Sequence, residues 1–358
     1  MNRLSWVVGI VVLFVIGAAA GCGRGSTAGN SKAGASLRLD DGREVRLSGP
    51  FIHKNLTVYL VCGKDAYDAR NVVTLEEAIQ RKTVVVHETG SVGELSVENL
   101  SEDEHVFIQA GDVVKGGRQD RTVQYDMIVG PKSGEVPLKS FCVEQGRWSA
   151  RGGEDAAAFS QSKHAVNAKE LKAAIRAEGQ QGKVWEKVAE VQRKMSESVG
   201  ARVNSDLSPS SLQLAMENSG VRATTDEYLQ TLRGALDAED DAIGFVACVN
   251  GKVASADIYG SAAILEKVWE KMLTASAQEA IAESAAAGAA SSPVPAAAEI
   301  VAFILKAEAE GRAAAEKRQV SSRTEEEKRE AAEAYVFESF DKKDGEKGQS
   351  LRKSYVAK

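Results

Sequence analysis

The chain of 358 residues holds little of the chemistry that marks the common enzyme sites. It has four histidines, four cysteines and six prolines, and aromatic residues make up only 6% of it. There is no HExxH pair, no CxxC pair, no GxxxxGK[ST] loop and no serine with glycine at both −2 and +2. These absences exclude a zincin, a zinc knuckle, a P-loop nucleotidase and a nucleophile elbow. His53, His87, His105 and His164 are scattered, and His87-Glu88 lacks a second ligand. No metal and no cofactor is therefore expected. Basic blocks are missing too: 45 Lys and Arg stand against 51 Asp and Glu, a net charge of −6. Phosphate neutralisation needs clustered cations, so DNA and RNA are excluded as partners.

Apolar material is plentiful at 43% hydrophobic residues against 27% charged, enough for a core in one large domain or two ordinary ones. The first residues, Met1-Asn2-Arg3, precede an apolar run from Leu4 to Ala20 and then Gly21-Cys22. A basic start, a short apolar stretch and small residues before a break are the features of an export signal. The run also sits at the short limit for a spanning helix, which leaves an uncleaved anchor as the alternative. Ala19-Ala20-Gly21-Cys22 resembles the lipobox of bacterial lipoproteins, with Ala19 in place of the usual Leu. That resemblance implies a signal peptide over residues 1–22 and lipidation of Cys22. The protein is then held at the inner or outer membrane of the cell envelope, facing the periplasm or exterior. Residues 23–36, rich in Gly, Ser and Ala, read as a flexible tether. Cys62, Cys142 and Cys248 remain, an odd number set in apolar strand-like runs. They are expected as buried thiols, with one pair open to bridging.

Short apolar alternations bounded by turn residues occupy most of Ser36 to Val143, for example Leu56–Cys62, Thr83–His87, Glu94–Val97, His105–Gln109, Thr122–Val129 and Glu135–Val143. These are strand signals. One helix interrupts them, since Thr74-x-x-Glu77 has capping-box spacing and Leu75, Ala78 and Ile79 form a stripe. Helical stripes follow from Asn167 to Leu236: Val184, Val188, Val191, Met195 and Val199, then Tyr228, Leu229, Leu232 and Leu236 behind a cap at Thr224-x-x-Glu227. Ile243, Phe245, Ala247 and Val249 alternate into Asn250-Gly251, a hairpin signal, and Lys252–Tyr259 returns. A helix with Leu265, Val268, Trp269, Met272 and Leu273 on one face comes next.

The expected class is α+β: a β-rich N-terminal half, sheet or sandwich-like, an inserted helical segment, a hairpin plus helix, and a C-terminal strand pair. The folded part spans 37–358. It divides into a β-rich 37–160, helices with the hairpin in 161–283, an Ala/Ser/Pro loop at 284–298, and a helix, charged arm and terminal strands in 299–358. For Gly311–Ala334 periodicity leaves a solvated helix and an irregular arm both open.

Two segments concentrate chemistry. In Gln109–Arg121, Gly116 and Gly117 let the backbone approach a ligand, while Lys115, Arg118 and Arg121 suit a phosphate or carboxylate. The alternative is a turn whose charges pair internally, Asp112 with Lys115 and Asp120 with Arg118 or Arg121. In Phe141–Trp148, Glu144, Arg147 and Trp148 converge at a strand end, either as a pocket or as a Glu–Arg pair covered by the indole. Cys142 and Arg147 have four residues between them, one too few for a Cys-x5-Arg phosphate loop.

Glu98-Asn99-Leu100-Ser101, Gly116–Arg121, Phe141–Trp148, and Ile243–Tyr259 with the helix Ile264–Met272 together resemble the ARPP-1 domain family. The resemblance spans most of Leu37–Ala280, and Tyr335–Val356 completes the domain. The family is named for its association with ADP-ribosylglycohydrolase and rhodanese-phosphatase superfamily proteins. That implies a link to ADP-ribose or nucleotide-related systems and carries over no catalytic residues. Three functions are therefore weighed. The first is a membrane-tethered binding or interaction module for a small anionic ligand at Lys115, Gly116, Gly117, Arg118, Arg121, Glu144, Arg147 and Trp148. The second is a hydrolase or transferase with Glu144 or Asp126 as base beside Arg121 or Arg147. The third is an envelope scaffold that binds another protein through its 167–236 helices and its charged arm.

Overall fold

Strand alternation and helical stripes assemble into three sheets and seven α-helices in the computed structural model, which describes residues 34–152, 154, 159–166, 168–284, 293–342 and 348–358. The expected signal peptide, Cys22 and nearly all of the tether lie outside the described residues. The largest sheet has nine antiparallel strands. In spatial order they are β1 (Ser36–Arg38), β2 (Glu44–His53), β3 (Leu56–Gly63), β13 (Ala242–Val249), β14 (Lys252–Tyr259), β18 (Gln349–Ala357), β17 (Ala334–Asp341), β16 (Thr324–Glu330) and β15 (Glu316–Gln319). The hairpin and the terminal strand pair are therefore neighbours inside one sheet. Two faces of this sheet bury two separate cores, as a period of two requires. Leu56, Val58 and Leu60 pack under α5 (Ser219–Leu232) and α6 (Ala262–Ala282). Tyr59 and Val61 face the opposite core, where the terminal helix α7 (Ala297–Gly311) contributes Ile300 and Ile304.

A six-stranded antiparallel sheet runs β12 (Phe159–Ala165), β8 (Asp112–Gly116), β9 (Arg121–Val123), β11 (Glu135–Cys142), β6 (Glu94–Asn99) and β5 (Val84–Ser91). Beside it, a three-stranded sheet joins β10 (Met127–Val129), β7 (His105–Ile108) and β4 (Val72–Thr74), with α1 (Leu75–Arg81) behind the capping box on Thr74. The six-stranded sheet also feeds two cores. Val114 and Leu138 join the strand core, while Val113 and Phe141 pack on α3 (Gln181–Val199), α4 (Leu212–Met216) and α2 (Lys169–Ala173), which continues into a π-helical turn at Ala174–Glu178. The fold is thus α+β, with helices inserted between strands.

Four local readings change. Ile243 does not share a face with Phe245, Ala247 and Val249, because the pairing with β3 shifts by one residue between Ala242 and Gly244 and sends Ile243 to the other core. A bulge inverts the alternation at such a point. Thr224 caps nothing: α5 is capped at Asn218, whose side chain accepts from Gly220 N, and the Thr224 hydroxyl donates to Gly220 O within the helix. The stretch Thr122–Val129 is two strands of different sheets, broken by Gln124–Asp126. Gly311–Ala334, read as a solvated helix or irregular arm, ends helix α7 and then folds into β15 and β16, whose facing residues include Lys317 opposite Glu327. Charge dominates it because β15 is a sheet edge, where charged side chains discourage further pairing. All three described cysteines are free and buried.

Candidate functional site

The two segments singled out in the sequence meet because β9 and β11 pair antiparallel, with Arg121 opposite Cys142. The chain leaving β11 therefore runs back beside the loop entering β9, and Val143 N donates to Asp120 O at 3.1 Å. At this junction lies a buried carboxylate pair. Asp120 N donates to Glu144 Oε2 at 3.1 Å, and neither side chain has exposed surface. Arg151 clamps Asp120 through two bonds of 2.8 and 2.9 Å, Ser211 adds a third at 2.9 Å, and Arg147 sits 2.6 Å from Glu144.

Charge separates the two acids. Burial raises the Asp120 carboxyl, Arg151 opposes that, and the neighbouring Glu144 adds to it, so Asp120 lies above the usual carboxylate range. Burial also works against Glu144 ionising, but the hydrogen bond from Arg147 and further donors outweigh it and hold its carboxyl low. A carboxylate held ionised in this way is a weak base.

The predicted residues divide sharply. Lys115 is taken by both oxygens of Glu217, at 2.8 and 2.9 Å, and Asp112 by Lys271 at 2.6 Å, so the expected Asp112–Lys115 pair does not form. Asp120 pairs with Arg151 rather than with Arg118 or Arg121. The Gly116 amide donates to Asp120 Oδ1 at 3.1 Å, so it is already satisfied inside the protein. Arg121 is wholly buried against Cys142, the Val92 carbonyl and Glu88. The Glu144–Arg147 ion pair is present. Trp148 is 42% exposed, with the guanidinium carbons of Arg118 and Arg121 at 5.6 and 5.5 Å from its ring centroid.

Gly117 has φ +54, and a Cβ there would stand 2.4 Å from the Phe159 ring. Gly117→Ala is expected to lower stability by about 1–3 kcal/mol, more than Gly146→Ala, where φ is also positive but nothing lies within 4 Å. Urea denaturation of the two variants measures the difference, and equal losses would show that Phe159 moves aside freely.

Asp126 lies elsewhere, in a polar core between the sheets. It accepts from Arg352 at 2.8 Å, Ser339 at 3.0 Å and the Ala110 amide at 2.8 Å, with Arg176 at 3.4 Å. Burial opposes its charge, but Arg352 and Arg176 prevail and its carboxyl is held low. Glu144, Asp126 and Arg121 share no hydrogen bond or ion pair among the described residues. Sequence reasoning missed Arg151, Arg352 and Asp257, which complete these networks. A signal for the last two was present, since each interrupts an apolar strand run with a charge.

Among the described residues Cys62, Glu239 and Asp241 have ligand atoms within 4.8 Å of one another, a spacing a metal ion could use. Arg46 already donates to both carboxylates at 2.7 Å, and burial pushes the Cys62 thiol up to about 12. A cation would have to displace a guanidinium and a proton. Burial likewise raises Cys142 to about 11 and Cys248 to about 12, so both are thiols at neutral pH.

No helix among the described residues is long and apolar enough to cross a membrane. No curated protein and no solved structure matches the chain. The family model of the ARG and Rhodanese-Phosphatase-superfamily-associated Protein domain, ARPP-1, matches residues 44–346, which takes in both converging segments, every strand of the large sheet except β1 and β18, and all the helices among the described residues. This chain belongs to the ARPP-1 domain family.

Proposed function

We propose that the protein is a membrane-tethered, extracytoplasmic binding module that takes a small anionic ligand, phosphorylated or nucleotide-like, against Trp148 and Arg118. The observation that carries this reading is the exposed Trp148 ring with two guanidinium groups beside it. An indole face stacks on a planar ligand, and Arg118 is exposed with no ion pair among the described residues, so its charge is available to an anion. Arg147, Arg151 and Lys115 serve as the frame, each bound to a carboxylate. The same pairing weighs against a hydrolase, because Glu144 and Asp126 are enclosed and held ionised. The tether rests on the leader ending in Gly21-Cys22.

The test is thermal shift of the Ser36–Lys358 fragment with nucleotides, ADP-ribose and sugar phosphates, together with quenching of tryptophan emission. Binding to the folded state raises its midpoint by mass action. One phosphorylated compound is expected to raise the midpoint and quench emission, with both effects lost in Arg118→Ala and the quench lost in Trp148→Phe. A response unchanged in both variants, or none from any compound, would overturn the reading.

A further inference from the structure

A second candidate site lies far from Trp148 in the chain, where the ends of β1, β2 and β3 enclose a cleft of about 760 Å³. That volume is within the range of small-molecule sites, roughly 300–1,000 Å³. Four cations line it: Arg38, Arg43, Arg46 and Lys64. Arg46 is neutralised by Glu239 and Asp241. The other three are not equally settled. Arg43 donates through Nε to Asp41 at 2.7 Å and through Nη1 to the Tyr259 carbonyl at 3.4 Å, while its Nη2 is buried with no hydrogen-bond partner. Arg38 and Lys64 are exposed, and no ion pair among the described residues engages either.

A buried guanidinium nitrogen without an acceptor is destabilising, and cations gathered round one volume repel each other. An oxyanion relieves both. Phosphate fits better than carboxylate, since it presents acceptors in several directions to cations that come from separate strands. The acidic groups on the lining are unequal too. Asp65 is engaged at the start of α6, accepting from Ala262 N at 2.9 Å and from the Ser261 hydroxyl at 3.3 Å. Glu44 is exposed, stands opposite Arg38 in the β1–β2 register, and is free to accept from a ligand hydroxyl.

We propose that this cleft binds a sugar phosphate, with Arg38, Arg43 and Lys64 holding the phosphate and Glu44 accepting from a hydroxyl of the sugar. The site is separate from the one at Trp148. Glucose 6-phosphate, inorganic phosphate and glucose serve as probes on the Ser36–Lys358 fragment at constant ionic strength, with the midpoint read by thermal shift and the Kd by titration calorimetry. Glucose 6-phosphate is expected to raise the midpoint more than inorganic phosphate does, and glucose to leave it unchanged. The exposed double substitution Arg38→Ser, Lys64→Ser is expected to weaken glucose 6-phosphate by roughly tenfold or more, the loss of at least one charged hydrogen bond. Glu44→Gln is expected to weaken glucose 6-phosphate but not inorganic phosphate. Trp148→Ala is expected to leave all these responses intact. No response to glucose 6-phosphate, an unchanged Kd in the double variant, or loss of the response in Trp148→Ala would each overturn the proposal. The last of these would leave the Trp148 reading standing, whereas failure of Arg118→Ala to affect any ligand leaves the cleft untouched.

Discussion

Replacing Arg352 with methionine is expected to cost about 3–5 kcal/mol, a large part of the stability of an ordinary domain. Arg352 is completely buried. It donates to Asp126 at 2.8 Å and twice to Asp257, at 2.7 and 3.1 Å. Lys172 reaches Asp257 at 3.3 Å, and Arg176 bridges Asp126 at 3.4 Å to Glu326 at 2.6 Å. Three cations and three carboxylates therefore balance in a region without exposed charge. Removing the central cation leaves two buried carboxylates short of partners, and uncompensated buried charge is far more costly than a missing pair. The double substitution Arg352→Met, Asp126→Asn is accordingly expected to recover much of the loss, because it removes one charge of each sign and leaves Lys172 with Asp257 and Arg176 with Glu326. Urea denaturation followed by far-UV circular dichroism measures both. A loss below about 1 kcal/mol in Arg352→Met would show that the network does not hold the sheets together.

The second large effect is a dependence of stability on pH through Glu279. This side chain on α6 borders a small apolar void lined by Leu171, Val191, Met195 and Leu212. Burial raises its carboxyl to about 8, against the pull of the Lys169 amide, which donates at 2.9 Å, and of Lys172. The ordinary value is 4.5. Between those two values the folded state keeps a proton that the unfolded chain has released. Stability from this group is therefore greatest below about pH 4.5 and falls as pH rises toward 8. The steepest slope is about 1.4 kcal/mol per pH unit, and a total of about 2–4 kcal/mol is expected between pH 5 and pH 8. Glu279→Gln keeps the shape and deletes the titration. Relative to that variant, the wild type should lose stability steadily across the window in urea melts at pH 5, 6.5 and 8. Parallel curves for the two proteins would mean that Glu279 is ionised throughout.

Both effects depend on charged residues in apolar surroundings, and this is where sequence reading met its boundary. In β18 the run Leu351–Val356 reads as a strand, and it is one, but every residue in it is buried. Alternation then sends Arg352 to Asp126 and Asp257 and its neighbour Lys353 to Asp40, Glu308 and Glu338 on the opposite face. A strand sandwiched on both faces has no solvent side, so both adjacent cations lie in the core. Lys353 holds Asp40 down to about 2, an effect of a partner about three hundred positions away. Nothing local in Leu39-Asp40-Asp41 announces it.

At the candidate site the segments Gly116–Arg121 and Glu144–Trp148 were visible as concentrations of glycine, charge and an indole. Their convergence was not, because it follows from which strand β11 pairs with. Nor was the internal pairing of their charges. Arg151, Ser211 and Glu217 come from outside both segments and satisfy Asp120 and Lys115, leaving Arg118 and Trp148 as the exposed pair.

The sequence by itself determined the α+β class, the capped helix at Thr74, the amphipathic stripes of α3 and α6, the Asn250-Gly251 hairpin, the terminal strand pair and the family. All of these rest on interactions between residues near in the chain: caps, turns, and the helical and strand periods of apolar side chains. Tertiary structure alone decided which strands share a sheet, the inversion of face at Gly244, and the strands β15 and β16 in the charged arm. It also decided which arginines the carboxylates of the candidate site meet. Strand pairing joins residues distant in sequence, and the desolvation that sets a buried charge depends on everything packed around it.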